Sequence, residues 1–167
     1  MNKNKTASVF NILAFVFSLL GMICIMVFDY ISISETKAIK VGEYHSQTKC
    51  TMIKLFDIQL WPLILLPAIA LVIVLLINLI LTIKQSDKIK VLMFVSAGLF
   101  VFHLLMAIIA KAVIKSDSGL IDEIAFVNSN LYASTSYSFV FEPMAICGFV
   151  LLLAAAVMPF IAWIKSK

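Results

Sequence analysis

Leu60–Ile83 reads LWPLILLPAIALVIVLLINLILTI, without one acidic or basic side chain. Crossing the hydrocarbon core of a bilayer takes roughly 20 predominantly apolar residues in a helix, and this stretch exceeds that length. Three further runs behave alike: Val9–Phe28, Val91–Ala110 and Met144–Ile164 carry no acid or base apart from the titratable His103. Four such runs within 167 residues predict an all-α membrane protein, a four-transmembrane-helix bundle, and leave no length for a separate soluble domain. The chain 1–167 is expected to form a single membrane domain with spans at about 8–29, 60–83, 90–114 and 143–164. Extracytoplasmic loops then fall at 30–59 and 115–142, and a cytoplasmic loop at 84–89.

Two prolines sharpen the boundaries. Pro62 and Pro143 open the second and fourth spans, where a first helical turn tolerates a missing N–H. Trp61 and Trp163 fall at opposite ends of the bundle and are expected to anchor the two membrane–water interfaces, which indole rings prefer.

Composition narrows the function classes. The chain is 63% hydrophobic and 13% charged, about half the charge of an ordinary soluble domain, so lipid is the expected solvent. Every basic residue is lysine, and without the planar guanidinium fork nucleic-acid recognition is not expected. The net charge of +4 reads instead as topology. Lys3, Lys5, Lys84, Lys88, Lys90, Lys165 and Lys167 flank the termini and the short connection, against the single acid Asp87. By the positive-inside rule this predicts a multi-pass protein of the cell membrane with both termini cytoplasmic. Lys3 and Lys5 before an apolar run resemble a signal peptide, but signal h-regions are only about 7–15 residues long. The run Val9–Phe28 is longer and lacks a small-residue cleavage site, so it is expected to stay attached. Met22 and Ile23 argue against a lipid anchor at Cys24.

The outer loops carry strand patterns. In Leu131–Glu142, Tyr137, Phe139 and Phe141 alternate with Ser134, Ser136 and Ser138, the period of a half-buried strand. Ile31 and Ile33 alternate with Ser32 and Ser34, Ile39 and Val41 bracket Lys40, and Lys49–Ile58 is rich in Thr, Ile and Phe. A lone hairpin is marginal, so these segments are expected to pair into a small extracytoplasmic β-sheet cap. Leu120, Ile121, Ile124 and Val127 lie at helical spacing and predict a short amphipathic helix over Gly119–Asn128. A long first outer loop, a short inner connection and a second outer loop feeding a strand into the fourth span is similar to the layout of claudin-like tetraspan proteins. The likeness is one of layout, since Asp29–Gln59 contains no Trp and Cys50 alone. It implies a sheet-capped bundle that presents its outer face to a partner.

Few residues suggest chemistry. His103 sits mid-span, where ionisable groups are functional candidates by default, although a hydroxyl or carbonyl of a neighbouring helix satisfies a neutral imidazole. The structural hydrogen bond is the first reading and a proton or substrate role the second. Asn11 and Asn78, in the inner halves of spans one and two, form with His103 the candidate intramembrane polar site and are expected to bridge helices. Lys111 and Glu142 are a candidate interfacial ion pair. Cys24, Cys50 and Cys147 are too dispersed for a redox pair, and His45 and His103 too distant for a metal set, so neither metal nor cofactor is expected. Gly21, Gly98 and Gly148 permit close helix contacts. No Gly-rich phosphate loop, Gly-x-Ser-x-Gly or His-Glu-x-x-His occurs. The loop carboxylates Asp29, Asp57, Asp122 and Glu123 read as solvated charge, with a lipid- or thiol-acting enzyme as the minor reading.

The leading expectation is therefore a non-enzymatic integral membrane protein. Its outer loops and helix faces would contact another membrane protein or a second copy, as an accessory, adhesion or self-assembling subunit. The alternative is an oligomeric channel or small transporter with His103 on a polar path.

Overall fold

The computed structural model describes the backbone of residues 3–41, 43–84, 89–120, 123–128 and 131–166, and the side chains of 7–38, 47–84, 90–116, 118–120 and 133–165. Among the described residues the elements follow in the order α1 (Lys3–Val27), β1 (Asp29–Val41), β2 (Glu43–Lys54), a 3-10 turn (Leu55–Asp57), α2 (Trp61–Ile83), α3 (Ile89–Asp117), β3 (Glu123–Asn128), β4 (Leu131–Phe141) and α4 (Pro143–Ser166). All four α-helices are long and apolar enough to cross a membrane, over Ala7–Val27, Trp61–Ile83, Lys90–Ser116 and Pro143–Lys165. Their outward faces are as apolar as their inward ones: Leu66, Phe94, Val101 and Val150 are each more than half exposed. Helices hydrophobic all round require apolar surroundings on every side. The expected inner connection, 84–89, lies mostly outside the described residues.

Neighbours around the bundle run α1–α2–α3–α4 and back to α1, with α1–α4 the most extensive contact. Glycine makes that contact possible. A Cβ on Gly21 would lie 2.9 Å from the Gly148 carbonyl oxygen, and one on Gly148 would lie 2.7 Å from Ile25 Cγ1. The two backbones touch where a side chain would hold them apart. Gly98 has nothing within 4 Å of its missing Cβ, so only two of the three glycines mark a helix contact.

The strands form one antiparallel sheet in the order β2–β1–β4–β3. Only Phe28 separates α1 from β1, and only Glu142 separates β4 from α4, so the α1–α4 pair continues outward as the β1–β4 pair. Glu142 N–H donates to the Tyr30 carbonyl at 3.1 Å, extending the ladder to the mouth of the bundle. At the base of the sheet the register breaks: Asp29 pairs with Lys54 and Ile31 with Ile53, which leaves Tyr30 as the extra residue of a bulge. Regular pleating would send Tyr30 and Ile31 to opposite faces. The bulge instead buries both completely.

One expected element is corrected. A helix over Gly119–Asn128 is not formed; Gly119, at φ 62°, lies just past the end of α3, and Glu123–Asn128 is strand β3. Leu120, Ile124 and Val127 satisfy helical spacing, but Ile124 and Phe126 equally satisfy strand alternation, and pairing with Ser134 and Tyr132 of β4 decides between them. The extended segment expected over Lys49–Ile58 ends at Lys54, where the 3-10 turn buries Leu55, and Ile58 is buried just beyond it.

Candidate functional site

His103 is fully buried on α3 and reaches across to α2. Pro67, inside α2, has no N–H to give the Leu63 carbonyl. His103 Nδ1 lies 2.8 Å from the carbonyl of the next residue, Ile64. A carbonyl only accepts, so the proton belongs on Nδ1 and leaves Nε2 as an acceptor. Nε2 is buried and has no hydrogen-bond partner. The ring itself tilts against Phe149 of α4, with centroids 5.7 Å apart. One side chain thus ties three helices.

Tyr30 approaches Phe149 from the sheet side, its ring edge-on at 6.0 Å, and also meets Phe141 at 5.7 Å. Its hydroxyl is buried without a partner. Burial pushes the phenol above its ordinary value, so it stays neutral and keeps its O–H. Tyr30 and His103 therefore present one donor and one acceptor around the same aromatic ring.

Lys111 does not meet Glu142 within salt-bridge distance; its ammonium lies 5.0 Å from the Phe141 ring centroid. Phe141 and Glu142 are consecutive in extended chain, so their side chains leave on opposite sides, and Lys111 reaches the ring. Among the described residues the surface ion pair is Lys37–Glu35, at 3.1 Å. Lys37 holds the Glu35 carboxyl below the usual carboxylate range, and the carboxyl raises the lysine in return. The Tyr137 hydroxyl donates to the same carboxylate at 3.3 Å.

At the other end of the bundle, Asn78 Nδ2 donates to Asn11 Oδ1 at 3.2 Å, and Asn11 Nδ2 donates to Thr82 Oγ1 at 2.8 Å. Thr82 returns its proton to the Asn78 carbonyl at 2.8 Å. This closed cycle clamps α1 to α2, while Asn78 Oδ1 stays unpartnered and buried. The amides therefore do not meet His103: the residues grouped by sequence form two separate centres, one linking α1 to α2 and one linking α2, α3 and α4.

Trp61, partly exposed at the start of α2, stacks edge-on against Phe56 at 5.4 Å. Trp163 is half-buried near the end of α4. A cavity of about 350 Å³ opens between the sheet base and the end of α3, lined by Ile33, Ile53, Asp57, Leu60, Val113 and Ile114 among others. Asp57 accepts from the Lys54 backbone N–H at 3.1 Å, capping the 3-10 turn. Among the described residues no three His, Cys, Asp or Glu side chains gather to hold a metal. The structure of Asp122 and Asp87, and the side chains of Lys3, Lys5, His45 and Glu123, lie outside the described residues.

Sequence reading missed Tyr30, Phe149, Thr82 and Pro67. Pro67 did not point to the contact either, since the carbonyl it leaves without a donor is that of Leu63 and His103 meets that of Ile64. No known protein-family model and no curated protein matches the chain.

Proposed function

We propose that this chain is a non-enzymatic multi-pass protein of the cell membrane, with both termini cytoplasmic and its sheet outside, and that the sheet is its contact surface for another protein. The observation that carries this reading is how much of the sheet is left uncovered. Edge strands β2 and β3 are each paired on one side only, and Gln47–Met52 is exposed throughout. Unpaired strand edges are ready templates for another chain unless they are protected. The helices beneath are tied by glycine contact and closed hydrogen bonds, which suits a rigid pedestal. The claudin-like layout belongs to the same reading, as a sheet-capped bundle facing a partner. Crosslinking in native membranes followed by identification of captured proteins tests it. Recovery of a defined partner through sheet residues supports the role, and exclusive labelling of lipid-facing helix positions overturns it.

Three buried polar atoms favour a second reading. Tyr30 Oη, His103 Nε2 and Asn78 Oδ1 lack partners in the outer, middle and inner parts of the bundle. Transport through an oligomer would put such atoms to use. Ion or proton flux into liposomes that His103→Ala abolishes would establish it, and absence of flux from the intact protein would remove it.

A further inference from the structure

The cavity between the sheet base and α3 changes character where the apolar helices end. The strand register gives the sheet two unlike faces: Ser34, Thr36, Thr48 and Cys50 stand on one, and Ile33 and Ile53 on the other. The second face looks toward the bundle, because Ile33 and Ile53 line the cavity together with Val113 and Ile114 of α3. Val113 and Ile114 lie within the apolar length of α3, which ends at Ser116. The polar lining stands beyond the apolar lengths. Asp57 and Gln59 precede that of α2, which starts at Trp61, and Ser118 follows that of α3. Asp57 gives Oδ2 to the Lys54 backbone N–H, and its side chain is otherwise exposed.

We propose that this cavity binds one membrane lipid with an ethanolamine-type head, its hydrocarbon inside and its primary ammonium at Asp57. The inference goes beyond the contact role of the sheet and does not rest on it. Three observations select this occupant. The first is volume. An apolar cavity of about 150 Å³ admits benzene and stays dry. At about 350 Å³, this one has room for a hydrocarbon segment of about a dozen carbons and falls in the range of small-molecule sites. The second is order. The lining passes from apolar to polar in the same direction as a lipid standing beside the sheet end of the bundle, so chain and head each meet their like. The third is charge. A carboxylate only accepts, so an ammonium that donates suits Asp57, whereas a choline head has no N–H to give and a purely anionic head is repelled. The phosphodiester then stands at the level of Lys54 and Lys115, both exposed and next in sequence to the lining residues Ile53 and Ile114. A bilayer presents such a ligand at high effective concentration, so even a weak site fills.

The test reconstitutes the full chain into vesicles of equimolar phosphatidylethanolamine and phosphatidylcholine with identical acyl chains. The protein is then extracted into mild detergent, and retained lipid is counted by native mass spectrometry. One ethanolamine lipid per chain is expected, favoured over the choline lipid about fivefold. The exposure of Asp57 keeps this below the roughly tenfold of a shielded charged hydrogen bond. Asp57→Asn keeps an acceptor for the Lys54 N–H and brings the two lipids to within about twofold. Val113→Trp fills the cavity and lowers retention of both lipids about tenfold, whereas Leu66→Trp, on an outward helix face, leaves it unchanged. A photoreactive ethanolamine lipid with its diazirine midway along the chain decides the matter should Val113→Trp misfold. Its adducts on the unaltered chain are expected to concentrate in residues 53–60 and 110–118. Adducts spread over the outward faces of all four helices overturn the proposal. So do equal retention of the two lipids by the unaltered chain, a preference that survives Asp57→Asn, and full retention by a folded Val113→Trp protein.

Discussion

Gly148 and Phe149 are consecutive residues of α4 that serve opposite seams by opposite means. Gly148 faces α1 and vanishes, letting backbone meet backbone beside Gly21. Phe149 faces α3 and fills space, touching His103 and the Tyr30 and Phe141 rings. Lower on the same seam Phe94 and Phe160 meet edge-on at 5.6 Å. A seam built on absent side chains has one geometry, because any added atom collides. A seam built on rings holds larger, adjustable parts and leaves polar atoms without partners. Rigidity and polar capacity are thus divided between two sides of one helix.

Four measurements break or sharpen this comparison, all read as unfolding free energy in detergent micelles. Phe149→Ala removes the ring that three other side chains share and should cost about 3 kcal/mol, the cavity cost of a large-to-small core change. A loss below about 1 kcal/mol would mean that the ring seam repacks freely. Gly148→Ala should cost about 2 kcal/mol through overpacking, whereas Gly98→Ala, which meets open space, should stabilise α3 by about 0.5–1 kcal/mol. Equal effects at the two positions would deny that α1 and α4 are in backbone contact. Tyr30→Phe should change stability by less than about 0.5 kcal/mol, since it deletes a hydroxyl with no protein partner. A larger loss would show that the hydroxyl is held by a bound molecule.

The smallest effect belongs to the surface of the sheet. Glu35 has a lowered pKa through Lys37, so the pair contributes above the ordinary carboxylate range, and the contribution fades as pH falls through the lowered value. Glu35→Gln should slightly reduce stability at neutral pH and flatten its decline in acid. Unchanged acid sensitivity in the variant would place that decline elsewhere.

Four helices long and apolar enough to cross a membrane, and the strand character of Leu131–Glu142, were legible because they rest on local quantities: uncharged length and alternation. Candidate His103 was legible as an ionisable group in an apolar run, and Asn11 and Asn78 as amides in another. Which atoms they would meet was not. Thr82 joins the amides because α1 and α2 are neighbours, and Ile64 serves His103 because α2 and α3 are neighbours. Tyr30 enters the core through a one-residue register shift, which no run of residues announces and pairing alone creates. Strand β3 was misread for the same reason, as its apolar spacing suited two periods and only β4 distinguished them. Composition thus dictated which segments are rods, because transfer into an apolar medium adds up residue by residue along the chain. The choice of contacts among those rods, and the two unlike faces of the sheet, arose only when distant segments packed. Close approach, register and hydrogen-bond partnership are properties of pairs, and no single stretch of chain contains them.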